Sequence, residues 1–189
     1  MIRSAKENAV CVNTGIHPHE YVVYIDEVRT VYGKVNRKNA FPANFQEAQK
    51  KVHELYMHVK RNINADAMKK ISDALRNDKT VTRFFQKHKE YLIFVPESPE
   101  ELIREGQRLH NCLSTYDERV ANGNTSVFFM RMADAPDTAF VAFEVHDGVL
   151  LQIHGNMNSN VNEDVRNYAN EFVRVLNKIS FNPKKIIAA

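Results

Sequence analysis

Ala139-Phe140-Val141-Ala142-Phe143-Glu144-Val145-His146-Asp147-Gly148-Val149-Leu150-Leu151-Gln152-Ile153-His154 reads as two strands joined by a two-residue turn. Asp147-Gly148 is a specific hairpin signal, because a type I′ turn needs positive φ at both central positions. Across such a turn Glu144 falls opposite Leu151, and Phe143 opposite Gln152. Val141, Phe143 and Leu150 then share one face, and Phe140, Ala142 and Ile153 the other. Apolar residues on both faces imply a sheet covered on both sides, so Glu144 and Gln152 need partners if buried. The two would point to opposite faces unless a bulge shifts the register and brings them together.

Working outward, Ser126–Arg131 is a third strand, and its terminal Arg131 is a candidate partner for Glu144. Tyr91–Val95 is a short apolar strand ended by Pro96. Ser98-Pro99-Glu100-Glu101 starts a helix: Ser98 can cap, Pro99 fits the first turn and Glu101 completes a capping box. That helix runs through Leu102, Ile103 and Leu109, and a second helical stretch from about Thr115 ends at Asn122-Gly123. Downstream, Asn160-Val161-Asn162-Glu163 reads as another capping box. Val161, Val165, Tyr168, Phe172, Leu176 and Ile179 then trace one face of an amphipathic helix. The tail Asn182-Pro183-Lys184-Lys185 is expected to fray.

Residues 44–90 carry a helical period. Phe45, Ala48, Val52, Leu55, Tyr56, Val59 and Ile63 form one stripe, with Lys50, Lys51, Lys60 and Arg61 largely off it. A second, shorter helix is expected through Met68, Ile71, Ala74 and Leu75, and a third around Val81, Phe84 and Phe85. Residues 1–43 contain β-like runs at Ala9–Val12, Tyr21–Ile25 and Arg29–Tyr32, the last two pairing as a hairpin around Asp26–Val28. The expected class is α+β, an antiparallel meander covered by helices with an N-terminal β/helical extension. The texture divides the chain into 1–90, with N-terminal strands and basic amphipathic helices, and a core over 91–180.

The chemistry concentrates in Arg108-Leu109-His110-Asn111-Cys112-Leu113-Ser114-Thr115-Tyr116-Asp117-Glu118-Arg119. Were the helix continuous there, Cys112, Tyr116 and Arg119 would share one face, and an arginine beside a thiol favours the thiolate. A Cys112–His110 pair would instead need a helix break near Asn111, with Ser114 or Thr115 as a new N-cap. The bland alternatives are a buried cysteine and a structural histidine. His110-x-Cys112 supplies two metal ligands at most, so no metal site and no cofactor is assigned. His17-Pro18-His19 is placed in a loop. His154-Gly155-Asn156 leaves the last strand as a polar connection whose backbone N–H groups could hold an anion.

The formal net charge of +3 names no partner. Its distribution says more: residues 44–90 hold eleven Lys/Arg and six Asp/Glu, a surplus of five. Such helices attract phosphate or an acidic protein unless they are only a solvated face. No apolar run approaches the ~18 residues of a membrane helix, and Met1–Lys6 lacks a signal-peptide core. The expected location is therefore cytoplasmic, with the distant Cys11 and Cys112 unpaired.

Glu105-Gly106, Leu109-His110, Cys112, Tyr116, Gly123, Arg131, Glu144, Gln152, Gly155 and Asn156 together resemble the PcfJ-like family. The similarity spans roughly residues 98–177, most specifically in Leu-His-x-Cys followed by Tyr and Gly, and leaves the first ninety residues unmatched. Where the family pattern often has a second histidine, this chain has Asn111. The resemblance implies a gene carried by plasmids or phages, and no settled activity. Two functions are compatible with it. One is a binding protein for nucleic acid or a host protein, interfering with a host defence process, with Lys50, Lys51, Lys60, Arg61, Arg131, Gln152 and Asn156 as binding residues. The other is an enzyme acting on nucleic acid or a nucleotide through His110, Cys112, Tyr116, Arg119 or Glu144.

Overall fold

A computed structural model describes residues 16–87 and 89–189. The run at Ala9–Val12, Cys11 and the N-terminal Met1–Lys6 lie outside the described residues. The chain divides into two compact units, one ending at Asn62 and one beginning at Ile63.

The first unit is helical where strands were expected. α1 spans Pro18–Tyr32, α2 Arg37–Ala40, and α3 Phe45–Asn77 starts here and continues past Asn62. The β-branched pairs around Val22-Val23 suggested strands, yet Tyr21, Tyr24 and Val28 repeat at helical spacing and are the buried apolar residues of the helix. Tertiary packing of that stripe against Val52 overrides β propensity. Both tyrosine hydroxyls are satisfied, Tyr21 donating to the Ala40 carbonyl at 3.0 Å and Tyr24 to that of Asn39 at 2.6 Å. Asp26, expected in a hairpin turn, instead pairs with Arg29 one turn along the helix. Of His17-Pro18-His19, expected in a loop, Pro18 and His19 open the helix and the His17 side chain caps it by accepting from the His19 N–H. Gly33, at φ +70°, closes it.

The second unit holds a four-stranded antiparallel sheet of sequential order, β1 Tyr91–Phe94, β2 Ser126–Met132, β3 Val141–His146 and β4 Val149–His154. The expected meander is present, with β1 added at its edge. Asp147 and Gly148 take φ of +47° and +73°, as the turn requires. The register shifts between Glu144 and Val145, so that Val145 faces Leu150 while Glu144 faces Gln152 and Phe143 faces Ile153. Leu151 is the extra residue and is exposed. The bulge corrects two expectations at once. It brings Glu144 and Gln152 together, and it moves Ile153 to the face of Val141 and Phe143.

The two faces of this sheet are chemically different. One carries Phe128, Met130, Val141, Phe143, Val145 and Ile153 beneath α7, which spans Glu163–Lys178 and contributes Tyr168, Phe172 and Leu176. The other carries Phe94, Val127, Phe129, Arg131, Ala142, Glu144 and Gln152, with α5 Pro99–Leu109, the turn Leu113–Thr115 and α6 Asp117–Ala121 in sequence above it. The C-terminal half of α3 and α4 Lys79–Lys87 complete the cores.

Several helix ends differ from expectation. α3 is one helix, not two, because Asn64-Ala65-Asp66-Ala67 contains no breaker. Ser98 makes no cap hydrogen bond; the Glu101 carboxylate accepts from the Glu97 N–H at 2.9 Å, one residue further out. α7 is capped by Asn162, which accepts from Val165 N–H, rather than by Asn160. The tail is not frayed: Asn182 caps α8 Pro183–Ala188, and Ile186 and Ile187 pack against the core.

Candidate functional site

α5 stops at Leu109 because His110 adopts the left-handed conformation, φ +50° and ψ +50°. Its N–H and that of Asn111 return to carbonyls of the last turn, including Gly106. A Cβ on Gly106 would stand 3.2 Å from the Leu113 Cβ, so glycine permits this tight return. Cys112, Tyr116 and Arg119 therefore do not lie on one continuous helix. Cys112 precedes the Leu113–Thr115 turn, Tyr116 follows it, and Arg119 belongs to α6. The break falls where a Cys–His pair would require it, but neither Ser114 nor Thr115 caps the next helix; the Thr115 hydroxyl donates back to the Cys112 carbonyl.

The break aims Tyr116 and Arg119 at the sheet, where Glu144 is 3% exposed. Its Oε1 accepts from the Thr125 hydroxyl at 2.7 Å and Arg119 at 2.9 Å. Its Oε2 accepts from Gln152 Nε2 at 2.6 Å and the Tyr116 hydroxyl at 3.2 Å. Gln152 also donates to the Tyr116 oxygen at 2.7 Å. The Arg119 guanidinium lies 4.9 Å from the Tyr116 ring. Burial, then the nearby Glu144 charge, raises the Tyr116 pKa above its ordinary value. Four donors on two carboxylate oxygens make Glu144 an organiser that ties four elements together.

Arg131, expected beside Glu144, pairs instead with Glu105. β2 alternation puts Arg131 on the Glu144 face but towards the β1 edge, where Glu105 of α5 approaches at 2.7 Å. The Pro136 carbonyl takes another Arg131 N–H at 2.9 Å, and the guanidinium stacks 5.0 Å from the Phe94 ring.

His110 Nδ1 donates to Asn156 Oδ1 at 2.8 Å, joining the α5 end to the turn after β4. Cys112 is exposed, with no hydrogen bond to His110 among the described residues. It lines a small cavity of about 50 Å³ with Tyr116, Glu144, Gln152, His154 and Asn158. The structure thus gathers the segments of His110, Cys112, Tyr116, Arg119, Glu144, Gln152 and Asn156. Among the described residues no three His, Cys, Asp or Glu side chains converge as a metal site.

Lys50, Lys51 and Arg61 are exposed on α3, and Lys60 lies 5.8 Å from the Tyr56 ring. The sequence reading missed three residues of the same kind. Lys79, Arg83 and Lys87 recur every fourth residue on the exposed side of α4, opposite buried Val81 and Phe84. Their Lys-x3-Arg-x3-Lys spacing was the available signal. Thr125 was missed too; no pattern marks a threonine that enters the site from the residue before a strand.

A family model described as PcfJ-like protein matches residues 23–173. The match thus reaches back through α1, α3 and α4, well beyond the expected 98–177. A curated relative, an uncharacterized protein of Listeria innocua serovar 6a, is 22% identical over 156 residues, covering 80% of this chain and 33% of the relative. The chain therefore spans about a third of the length of the curated relative it matches. No solved structure matches. No described helix is long and apolar enough to cross a membrane.

Proposed function

The chain belongs to the PcfJ-like family, and from that premise we propose that it is a nucleic-acid-binding protein that serves a mobile genetic element, plasmid or phage. The observation that carries the reading is the cationic face of α4. Lys79, Arg83 and Lys87 stand on one exposed stripe, and no carboxylate pairs with them among the described residues. Charges left unneutralised by the fold attract an external polyanion, and an i, i+4, i+8 spacing follows a phosphate backbone. Exposed Lys50, Lys51 and Arg61 of α3 supply the same character in the first unit.

The saturated Glu144 weighs on the same side. A carboxylate that already accepts four hydrogen bonds holds the fold and has no lone pair aimed at a substrate proton. The enzyme alternative rests on the His110 and Cys112 region, whose two side chains are not hydrogen-bonded to each other. Binding is proposed to act against a host defence process, in the cytoplasm.

The test is a salt titration of binding to single- and double-stranded DNA and RNA. Affinity should fall steeply with salt as phosphate contacts release counterions. Reversing Lys79, Arg83 and Lys87 to glutamate should lower the salt slope by about 2–3 without lowering the Tm. Absence of binding at low salt, with an acidic host protein copurifying through the same face, would replace nucleic acid by that partner.

A further inference from the structure

The second cavity on the polar side of the sheet holds about 220 Å³, between α5 and the β1–β2 pair. Phe94 and Phe129, direct neighbours across the strands, line it with Arg131 of β2 and Arg104, Glu105 and Arg108 of α5. Arg104 and Arg108 are one helical turn apart and both exposed. Glu105 is only 2% exposed. One of its oxygens is engaged by Arg131 at 2.7 Å, with Arg108 at 3.8 Å, while Oε1 receives no hydrogen bond. The Nε–H of Arg131 likewise donates none. Glu101 also borders the cavity, but one of its oxygens is occupied by the Glu97 N–H. Arg104, Arg108 and Arg131 against Glu101 and Glu105 leave the cavity lining with a net charge of +1, and Arg104 and Arg108 carry theirs at the exposed rim.

These groups ask for three chemical features in one ligand. Aromatic walls and a stacked guanidinium favour a flat ring. A buried carboxylate oxygen without a donor favours an N–H. Two guanidiniums at the rim favour an anion, and phosphate suits their fork geometry. The volume falls below that of drug-sized sites and limits the ligand to a single small unit. We propose that this cavity binds a mononucleotide, the base amino group donating to Glu105 and the phosphate held by Arg104 and Arg108. Oε1 is buried, so the Glu105 carboxyl turns towards the cavity as the base enters. Bases with an exocyclic amino group are preferred over uracil, whose single N–H is flanked by carbonyls that the carboxylate repels. The site is independent of the α4 cations.

The test is calorimetric titration of the intact chain with AMP, GMP, CMP, UMP and inorganic phosphate. The amino-bearing nucleotides should bind, with UMP and phosphate at least about tenfold weaker, the value of one charged hydrogen bond. Replacing Arg104 and Arg108 together by glutamine, which adds no carboxylate beside Glu105, should abolish binding with little change in Tm, whereas Lys79→Glu with Arg83→Glu should leave it intact. No binding at millimolar concentration, equal binding of phosphate or of UMP, or unchanged affinity in the arginine double variant would each overturn the proposal.

Discussion

The two faces of the sheet are built from the same four strands and differ in almost every other respect. Beneath α7 the contact is aromatic: Phe128, Phe143 and Phe172 lie with ring centroids 5.2–6.3 Å apart, and no buried charge interrupts them. Beneath α5 and α6 the sheet carries Glu144 and Arg131, and α5 brings Glu105 down onto it. The first face takes its stability mainly from area removed from water and holds no ion pair. The second depends on pairing groups that cannot be buried alone. Within that second face the two carboxylates differ again, since Glu144 has four donors and Glu105 leaves one oxygen bare. Both carboxylates hold the fold through buried ion pairs, and only Glu105 keeps an acceptor without a donor.

The comparison can be broken most easily at its apolar end. Phe172 is fully buried against the rings of Phe84, Phe85, Phe128 and Phe143, so Phe172→Ala should destabilise the chain by about 3–5 kcal/mol. Chemical denaturation would measure this, and a loss below about 1 kcal/mol would show that α7 does not seal the sheet. The next effect uses the same isosteric change at the two carboxylates. Glu144→Gln sets an amide N–H2 against existing donors and should cost about 2–4 kcal/mol. Glu105→Gln keeps an acceptor for Arg131 and places the amide on the bare side but removes the guanidinium's counter-charge, so it should cost about 1–2 kcal/mol, less than Glu144→Gln. Equal losses would erase the distinction between them.

A smaller effect is expected on the apolar face at alkaline pH. Burial pushes the Tyr168 phenol up to about 12 from 10.0, and its hydroxyl donates to the Tyr91 carbonyl at 2.9 Å. A raised pKa in the folded state means that the unfolded chain ionises first. The stabilisation is complete below pH 10 and is lost as pH rises from there through about 12. Tyr168→Phe should flatten the alkaline decline of Tm over that window, and an unaltered profile would locate the titration elsewhere. The smallest effect is expected at Cys112. An exposed side chain with no hydrogen bond predicts that Cys112→Ser changes stability by less than about 0.5 kcal/mol. A loss of 1 kcal/mol or more would mean that the thiol is packed into the small cavity beside Tyr116.

The sequence by itself determined the elements whose cause is local. The Asp147-Gly148 turn, the meander, the Gly123 cap and the apolar stripe of α7 follow from periodicity and φ preference, and they appear where the residues put them. Even the alternatives for residues 108–119 were legible, because helix spacing says which side chains can meet. What failed was local propensity without local cause. Val22-Val23 reads as strand, but Tyr21, Tyr24 and Val28 needed a surface to bury against, and Val52 lies in another helix. The carboxylate partners lay beyond reach for a similar reason. Which arginine meets which glutamate depends on a one-residue bulge at Glu144 and on the left-handed His110 that redirects the chain after α5. Both were open alternatives in the sequence, a bulge in the hairpin and a break near Asn111, and the folded sheet and the turn onto Gly106 chose between them. Only the tertiary structure could give Arg119 to Glu144, give Arg131 to Glu105, and leave one buried oxygen without a donor.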